Sequence, residues 1–303
     1  MTAALLIANA DAGSSDDEVL ERILETLRRS WTVEVARTSD AEDLAEALVS
    51  HPDVDVVVVA GGDGSLHATV QGLWTLDRLS TATLALVPMG TGNDFARTVG
   101  LDEDPEKVAQ GLLGATPTPH DIAIDDDDHV VVNAVHVGVG AQAGKDAEPW
   151  KRRLGPAGYV VGALKAGLLG SPARLSVVVD GRSLVRHDDV VQVAVGVGRY
   201  VGGGAPLLPE ADPTDGILDV TVSRANPMHR RIAYGVRLLR GSHTDRDDVV
   251  TTRGRSVTIS GKAMSWNADG ETGDGLRERT WTVVPGAYRM LLPAGIKRGA
   301  ETD

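Results

Sequence analysis

Two glycine-rich turns carry the first chemical signal in this 303-residue sequence. The first, Gly61-Gly62-Asp63-Gly64-Ser65, follows the apolar run Val54 to Ala60. Glycines there let backbone amides approach a phosphate, and the start of a following helix adds the positive end of its dipole. Asp63 could orient donors or meet a metal ion on the phosphates. The second turn follows the next apolar run and reads Pro88-Met89-Gly90-Thr91-Gly92-Asn93-Asp94-Phe95-Ala96-Arg97. Gly90 and Gly92 flank Thr91, again suiting close backbone approach. Asn93 can donate to and accept from a base or ribose, Asp94 can cap the next helix, and Arg97 can pair with a carboxylate or phosphate. Each turn alone is also an ordinary strand-to-helix connection. Two on consecutive strands favour a nucleotide crevice at the carboxyl ends of a parallel sheet.

Four further carboxylates are less distinctive singly. Asp121 reads as a turn residue at a domain boundary. Asp215-Gly216 and Asp269-Gly270 are common turn dipeptides, and Glu271 has the look of a solvated neighbour.

The elements that must position these residues follow from periodicity. Ala4 to Ala8 is a short apolar strand. Leu20, Ile23, Leu24 and Leu27 recur at helical spacing behind the acidic start Asp16, Asp17 and Glu18. Val33 to Ala36 is a second strand, and Asp40 caps a helix carrying Leu44, Ala47 and Leu48. The Val54 run has the pattern of a strand buried on both faces. A helix from about Ser65 and a strand at Leu84 to Val87 complete a β-α-β-α-β-α-β order. The fold expectation is α/β: an N-terminal doubly wound parallel-sheet domain, residues 1–121. From Asp121 the character changes. Asp125 to Asp128 reads as a solvated hairpin tip. Short Val-rich strands follow at Val130 to Val132, Leu175 to Val179, Val190 to Val197, Ile217 to Val222 and Val257 to Ile259. Helical stretches near Tyr159 to Leu169 and Pro227 to Arg240 interrupt them. The second domain, 122–284, is therefore expected to be mostly β and sandwich-like, with a tail, 285–303, returning to the first domain.

Composition narrows the classes. The chain is 42% hydrophobic but only 3% aromatic, with one Phe, so Val, Leu and Ala must fill the core. It has no cysteine, which excludes disulfides, thiolate metal sites and cysteine nucleophiles. A net charge of −13 argues against nucleic-acid binding. An Arg-over-Lys, Asp-rich balance fits either high-salt adaptation or a GC-rich genome. No apolar run reaches the roughly 18 residues of a membrane span, and the N-terminus lacks signal-peptide character. The expected location is cytoplasmic, with peripheral contact at the inner membrane face.

Taken together, the two turns resemble the diacylglycerol kinase catalytic-domain family, which includes bacterial-type lipid kinases and sphingosine kinases. The first turn is shared with NAD kinases and 6-phosphofructokinases; the second is more specific. Further matches run along nearly the whole chain: Asn9 in a weakened start motif, Thr38, Asp121, Asn133 with Gly138 and Gly140, Gly202-Gly203-Gly204, Pro209, Asp215-Gly216 with Leu218-Asp219, and Asp269-Gly270-Glu271. The resemblance implies an ATP- and Mg²⁺-dependent transfer of the γ-phosphoryl group to a hydroxyl of diacylglycerol or a related lipid alcohol, with the active site in the interdomain cleft. Thr38, Gly61, Gly62, Asp63, Gly64, Ser65, Gly90, Thr91, Gly92 and Asn93 would line the nucleotide site. Asp63 would also organise the catalytic Mg²⁺. Glu271 would be the general base, with Asp121 and Asp269 holding it or metal-bound water. Asp215 would sit in a structural Mg²⁺ loop. Family precedent offers a homodimer as the oligomeric expectation.

One departure stands out. After the first turn the family usually reads Thr-hydrophobic-Asn-Glu, whereas this chain has Ser65-Leu66-His67-Ala68. The alternatives are an NAD kinase, from the shared first turn, or a non-catalytic nucleotide or lipid sensor, from the missing Asn-Glu pair. Gly138-x-Gly140-x-x-Ala143 fits a dinucleotide fingerprint by pattern, but no β-α-β unit or later acid supports it. Apolar positions beside Lys151-Arg152-Arg153 and among Arg230, Arg231, Arg237 and Arg240 suit either core helices with solvated cations or an interfacial contact.

Overall fold

The computed structural model describes residues 1–10, 14–138 and 171–294. The helix expected near Tyr159 to Leu169, the triplet Lys151-Arg152-Arg153 and the Gly140-to-Ala143 part of the fingerprint pattern lie outside the described residues. So does the chain beyond residue 294. Two compact units are present: one contains Met1–Asp121 and the chain from Pro285, the other Ile122–Val284.

In the first unit β1 (Thr2–Asn9), β2 (Trp31–Thr38), β3 (Val56–Gly61) and β4 (Thr83–Pro88) alternate with α1 (Ser14–Leu27), α2 (Ala41–Ser50) and α3 (Asp63–Thr75). The strands are parallel, in the order β2-β1-β3-β4. Every residue of β3 is buried, as a Val run between two helical layers requires. Leu20, Ile23, Leu24 and Leu27 point into the core from α1. Asp40 caps α2, its carboxylate accepting the Glu42 and Asp43 amides at 2.9 Å each. Two shorter helices follow, α4 (Asp94–Thr98) and α5 (Pro105–Leu112); α1 packs beside α5, and α2 beside α3.

The second unit is mostly antiparallel. It takes in the end of β5 (Thr116–Asp125), then β6 (Val130–Val131), β7 (Ala134–Gly138), β8 (Ala173–Val179), β9 (Arg182–Val190) and β10 (Gln192–Gly196). A small ribbon, β11 (Tyr200–Val201) with β12 (Ala205–Pro206), precedes β13 (Leu218–Ser223). One helix, α6 (Met228–Leu238), and then β14 (Val249–Gly254), β15 (Ser256–Ala268) and the first part of β16 (Glu271–Leu292) complete it. Neighbouring strands run β14-β13-β10-β7-β15-β16, with β8 between β15 and β9. Val135, Val137, Val193, Val195, Val220 and Val222 alternate inward and pack with Ile259 and Trp281. Branched aliphatics thus replace the scarce aromatics. The far end of β16 belongs to the first unit, where Arg289 and Met290 pair in parallel with Thr83 and Leu84.

Two local expectations are corrected. Helix α3 opens at Asp63 rather than Ser65, because Gly62 is already its extended N-cap. The acidic run at 125–128 is not simply solvated. Asp125 is buried and accepts the Asp127 and His129 amides at 2.9 Å, and the Arg279 guanidinium reaches Asp125, Asp126 and Asp127 together. Burial alone would raise the Asp125 pKa, but those donors outweigh it and hold the carboxyl below its ordinary value.

Candidate active site

The carboxyl ends of the parallel strands bring the first set of residues to one edge. Asn9 lies opposite Thr38 across β1 and β2, Ala8 opposite Ala60, and Gly61 opposite Pro88. Thr38, the glycine turn after β3 and the loop after β4 therefore share one end of one sheet. That is the edge where open α/β sheets receive ligands.

The two turns are bolted together by Asp63. Its Oδ2 accepts the Asp94 amide at 3.0 Å and its Oδ1 the Phe95 amide at 2.8 Å. These amides open α4, so a carboxylate from α3 caps a helix 31 residues later in sequence. Asp94 does not cap α4 as the sequence suggested; it lies buried in the first turn, with Arg97 Nη1 3.5 Å from its carboxylate. Asn93, at a left-handed φ of 50°, turns its amide back on its own loop. It accepts from the Gly90 amide at 3.1 Å and donates to the Gly90 carbonyl at 2.8 Å. These two bonds close the loop and fix the Asn93 amide at the edge where the sequence placed it. Arg97 donates to the Gly92 carbonyl at 3.1 Å, fixing the other glycine.

The glycines separate into two kinds. A Cβ on Gly90 would fall 2.5 Å from the Gly62 Cα, and one on Gly61 would fall 2.5 Å from Ser65 Oγ. Gly90 is needed for backbone-to-backbone packing against Gly62, whereas at Gly61 the Ser65 side chain takes the space. Gly64 is different: a Cβ there would meet nothing within 4 Å. Gly64 is exposed in the first turn of a 13-residue helix, where backbone amides have no partner one turn back. The arrangement fits an anion. Asp63 engages the two amides that open α4, which fixes its carboxylate beside that turn. Thr91 is exposed on the neighbouring loop. His67, in the place of the family's Asn, is buried in α3.

Asp121 is buried in the same unit, and its Oδ1 accepts the Gly286 amide at 2.7 Å. Beside it the His120 ring packs between Phe95 and Tyr288, with centroids at 6.1 and 5.7 Å. Those rings connect the loop after β4 to the strand that carries Asp121.

In the second unit Asp269 and Gly270 form the tip between β15 and β16, both at positive φ (49° and 101°), with Ala268 opposite Glu271. This is the backbone that a two-residue hairpin turn requires. Asp269 is not a spare carboxylate. Its Oδ2 accepts the Val132 amide at 2.5 Å, and its Oδ1 accepts the Asn133 and Ala134 amides at 3.0 Å each. The tip is thereby riveted to the start of β7, and Glu271 is exposed directly beyond it. Asp269 thus fixes the position of the tip.

Asp215 lies in a turn before β13, accepting the Ile217 amide at 3.1 Å. Its other oxygen meets the Arg253 guanidinium, which also reaches Asp219 at 3.2 Å. Among the described residues no group of three or more acids or histidines is arranged to hold a metal ion. A fixed guanidinium beside Asp215 opposes a divalent cation, so the side chains as they stand do not fit the expected Mg²⁺ loop. Burial pushes the Asp219 carboxyl up to about 6, with Arg253 pulling the other way. The sequence reading placed Asp219 in a motif but missed this pair, because nothing local links residue 253 to it. His136 on β7 was also missed; it is buried, and burial lowers its pKa to about 4.

Residues 3–124 match the family described as the diacylglycerol kinase catalytic domain, and residues 133–292 match the YegS C-terminal NAD kinase beta sandwich-like domain. A relative from Stenotrophomonas maltophilia, named "Probable lipid kinase YegS-like", is 34% identical over 96% of both chains. The chain belongs to the diacylglycerol kinase catalytic-domain family. A family member named diacylglycerol kinase, from Mycobacterium tuberculosis, is 30% identical over 84% of this chain and 82% of its own. A crystal structure of a diacylglycerol kinase from Bacillus anthracis superposes with a TM-score of 0.79 at 24% identity, covering 98% of both chains. That similarity establishes the fold. Membership makes this a kinase-type chain that uses a nucleotide. No helix among the described residues is long and apolar enough to cross a membrane.

Proposed function

We propose that the protein transfers the γ-phosphoryl group of ATP to a hydroxyl of diacylglycerol or a closely related lipid alcohol. The observation that carries this reading is the Asp63 clamp, which presents the open Gly64 turn and the α3 N-terminus at the ligand-binding edge of the parallel sheet. Lipid-kinase relatives aligned along nearly the full chain support the choice of acceptor class.

In this reading the amides of the Gly62-to-Ser65 turn hold the phosphates, and Thr38, Thr91 and Gly92 border the nucleotide. Mg²⁺ bound with the nucleotide would supply charge neutralisation for the transferring group, and Asp63 would be the residue that organises it. Glu271 takes the proton from the attacking hydroxyl as general base. Asp269 fixes the tip that carries Glu271, and Asp121 is a buried carboxylate held by the Gly286 amide. Peripheral contact with the inner membrane face would give access to the lipid.

The test is transfer from labelled ATP with Mg²⁺ to a panel of lipid alcohols and NAD, at low and molar salt, for wild type, Asp63→Ala and Glu271→Gln. Label in a lipid, lost in both variants, is the expected result. Label in NADP would replace the lipid assignment with the NAD kinase reading. ATP binding without transfer at any salt would favour a sensor and direct attention to His67 and Ala68.

A further inference from the structure

Seven large apolar side chains stand exposed among the described residues, and four of them belong to one short segment of the second unit: Met228 (50%), Ile232 (50%), Val236 (44%) and Leu239 (50%). At roughly 100° per residue these four fall within an arc of about 80° on α6 and its C-cap. The opposite side of the helix is already anchored. Tyr234 is buried there, donates its hydroxyl to Gln192 Oε1 at 3.0 Å, and its ring meets His243 edge-on at 5.6 Å. The exposed stripe therefore adds nothing to the core, and soluble surfaces seldom leave such a stripe uncovered.

Charge identifies what covers it. From Pro227 to Arg240 the chain has His229, Arg230, Arg231, Arg237 and Arg240 and no acid, in a protein whose net charge is −13. Arg230 is tied to Asp247 and Asp248, both at 3.1 Å. His229, Arg237 and Arg240 have no ion-pair partner among the described residues, and all three are exposed. On the helical projection His229 and Arg240 run along one border of the stripe, with Arg237 beyond them. A second copy of the chain fits poorly, since a two-fold contact would set these cations against themselves. An anionic bilayer complements both features, taking the apolar side chains at the headgroup boundary and the cations at lipid phosphates.

We propose that α6 is the element on which the protein rests against an anionic lipid surface. The inference rests on the reading that the acceptor is a lipid, but it is measured without nucleotide or transfer.

The experiment is co-sedimentation of the full chain with phosphatidylcholine vesicles, with and without phosphatidylglycerol, at low and at molar salt. Wild type is expected to pellet with the phosphatidylglycerol vesicles and to be released by salt. The pairs Ile232→Gln with Val236→Gln, and Arg237→Gln with Arg240→Gln, are each expected to weaken binding by about tenfold. Gln keeps helix propensity and the positions are exposed, so unchanged thermal melts should accompany the loss. Transfer to a short-chain, monomerically dispersed diacylglycerol should be unaffected, which separates failure of docking from failure of the kinase reading. Wild type that ignores the anionic vesicles at low salt would overturn the proposal. So would variants that bind like wild type, or a stripe variant that splits a dimer while vesicle binding persists.

Discussion

The tip of the β3–α3 turn and the tip of the β15–β16 hairpin use the same device for opposite ends. In each, an aspartate in a glycine-rich turn gives its carboxylate to backbone amides distant in sequence: Asp63 to Asp94 and Phe95, Asp269 to Val132, Asn133 and Ala134. The first clamp fixes a helix N-terminus, where the aligned peptide dipoles favour an anion. The second fixes a hairpin whose next residue, Glu271, is exposed and is the base of the proposed reaction. The comparison teaches that an aspartate in such a turn can hold a neighbouring group in place rather than react itself.

The largest effect that could break this contrast is at the proposed base. Glu271→Gln keeps size but removes the carboxylate proposed to take the proton, and transfer should fall by roughly 10²- to 10⁴-fold, with nucleotide affinity and melting temperature unchanged. Asp269→Asn tests the rivet. One amide oxygen cannot accept from three N–H groups that now also face its own NH₂ group, so stability should fall by about 1–3 kcal/mol in denaturant titration. Transfer should fall with it, although the base itself is intact.

The two kinds of glycine sharpen the first tip. Gly90→Ala drives a Cβ into the Gly62 backbone and should destabilise the fold by about 1–3 kcal/mol. Gly64→Ala meets empty space and should raise stability by up to about 1 kcal/mol while weakening nucleotide binding, because the methyl occupies the approach to the amides. Calorimetry of both variants with nucleotide separates the two outcomes.

A pH-dependent effect concerns Asp219 and Arg253. An aspartate raised to about 6 in the folded state keeps its proton after the unfolded chain, near 3.9, has released it. Its contribution to stability is therefore present below about pH 4 and lost as pH rises to about 6. Arg253→Met removes the compensating charge, so its cost should be greater at pH 8 than at pH 5, by roughly 1–2 kcal/mol for this half-exposed partner. Buried His136, lowered to about 4, works in the opposite direction, losing stability as pH falls from about 6.5 toward 4. Denaturant midpoints of wild type and variant across that range resolve the two slopes.

Much of the fold was legible because its signals are local. The Val run of β3, the four-residue apolar stripe of α1 and the Asp40 cap each state their element within one window. β15 and β16 were harder. Their exposed face carries Glu, Asp and Arg, so 13 and 22 residues of continuous strand read only as Val257 to Ile259 and a strand-like end, Arg289 to Leu292, of the returning tail. At the site, the two glycine turns were visible as types and spacing, but the partners of Asp63, Asp269 and Asp219 were not. Each partner lies dozens of residues or more away in the chain, and only the folded sheet brings it within reach. The same holds for Asn93, whose bonds to its own loop depend on the left-handed turn at that residue.

The account stands most directly on one paired measurement: nucleotide affinity and lipid transfer for Gly64→Ala beside Glu271→Gln, against wild type. The prediction is that Gly64→Ala loses nucleotide affinity in a protein that still folds, while Glu271→Gln binds nucleotide normally and transfers nothing measurable to lipid. Undiminished transfer by Glu271→Gln, or undiminished nucleotide affinity in Gly64→Ala, would contradict it.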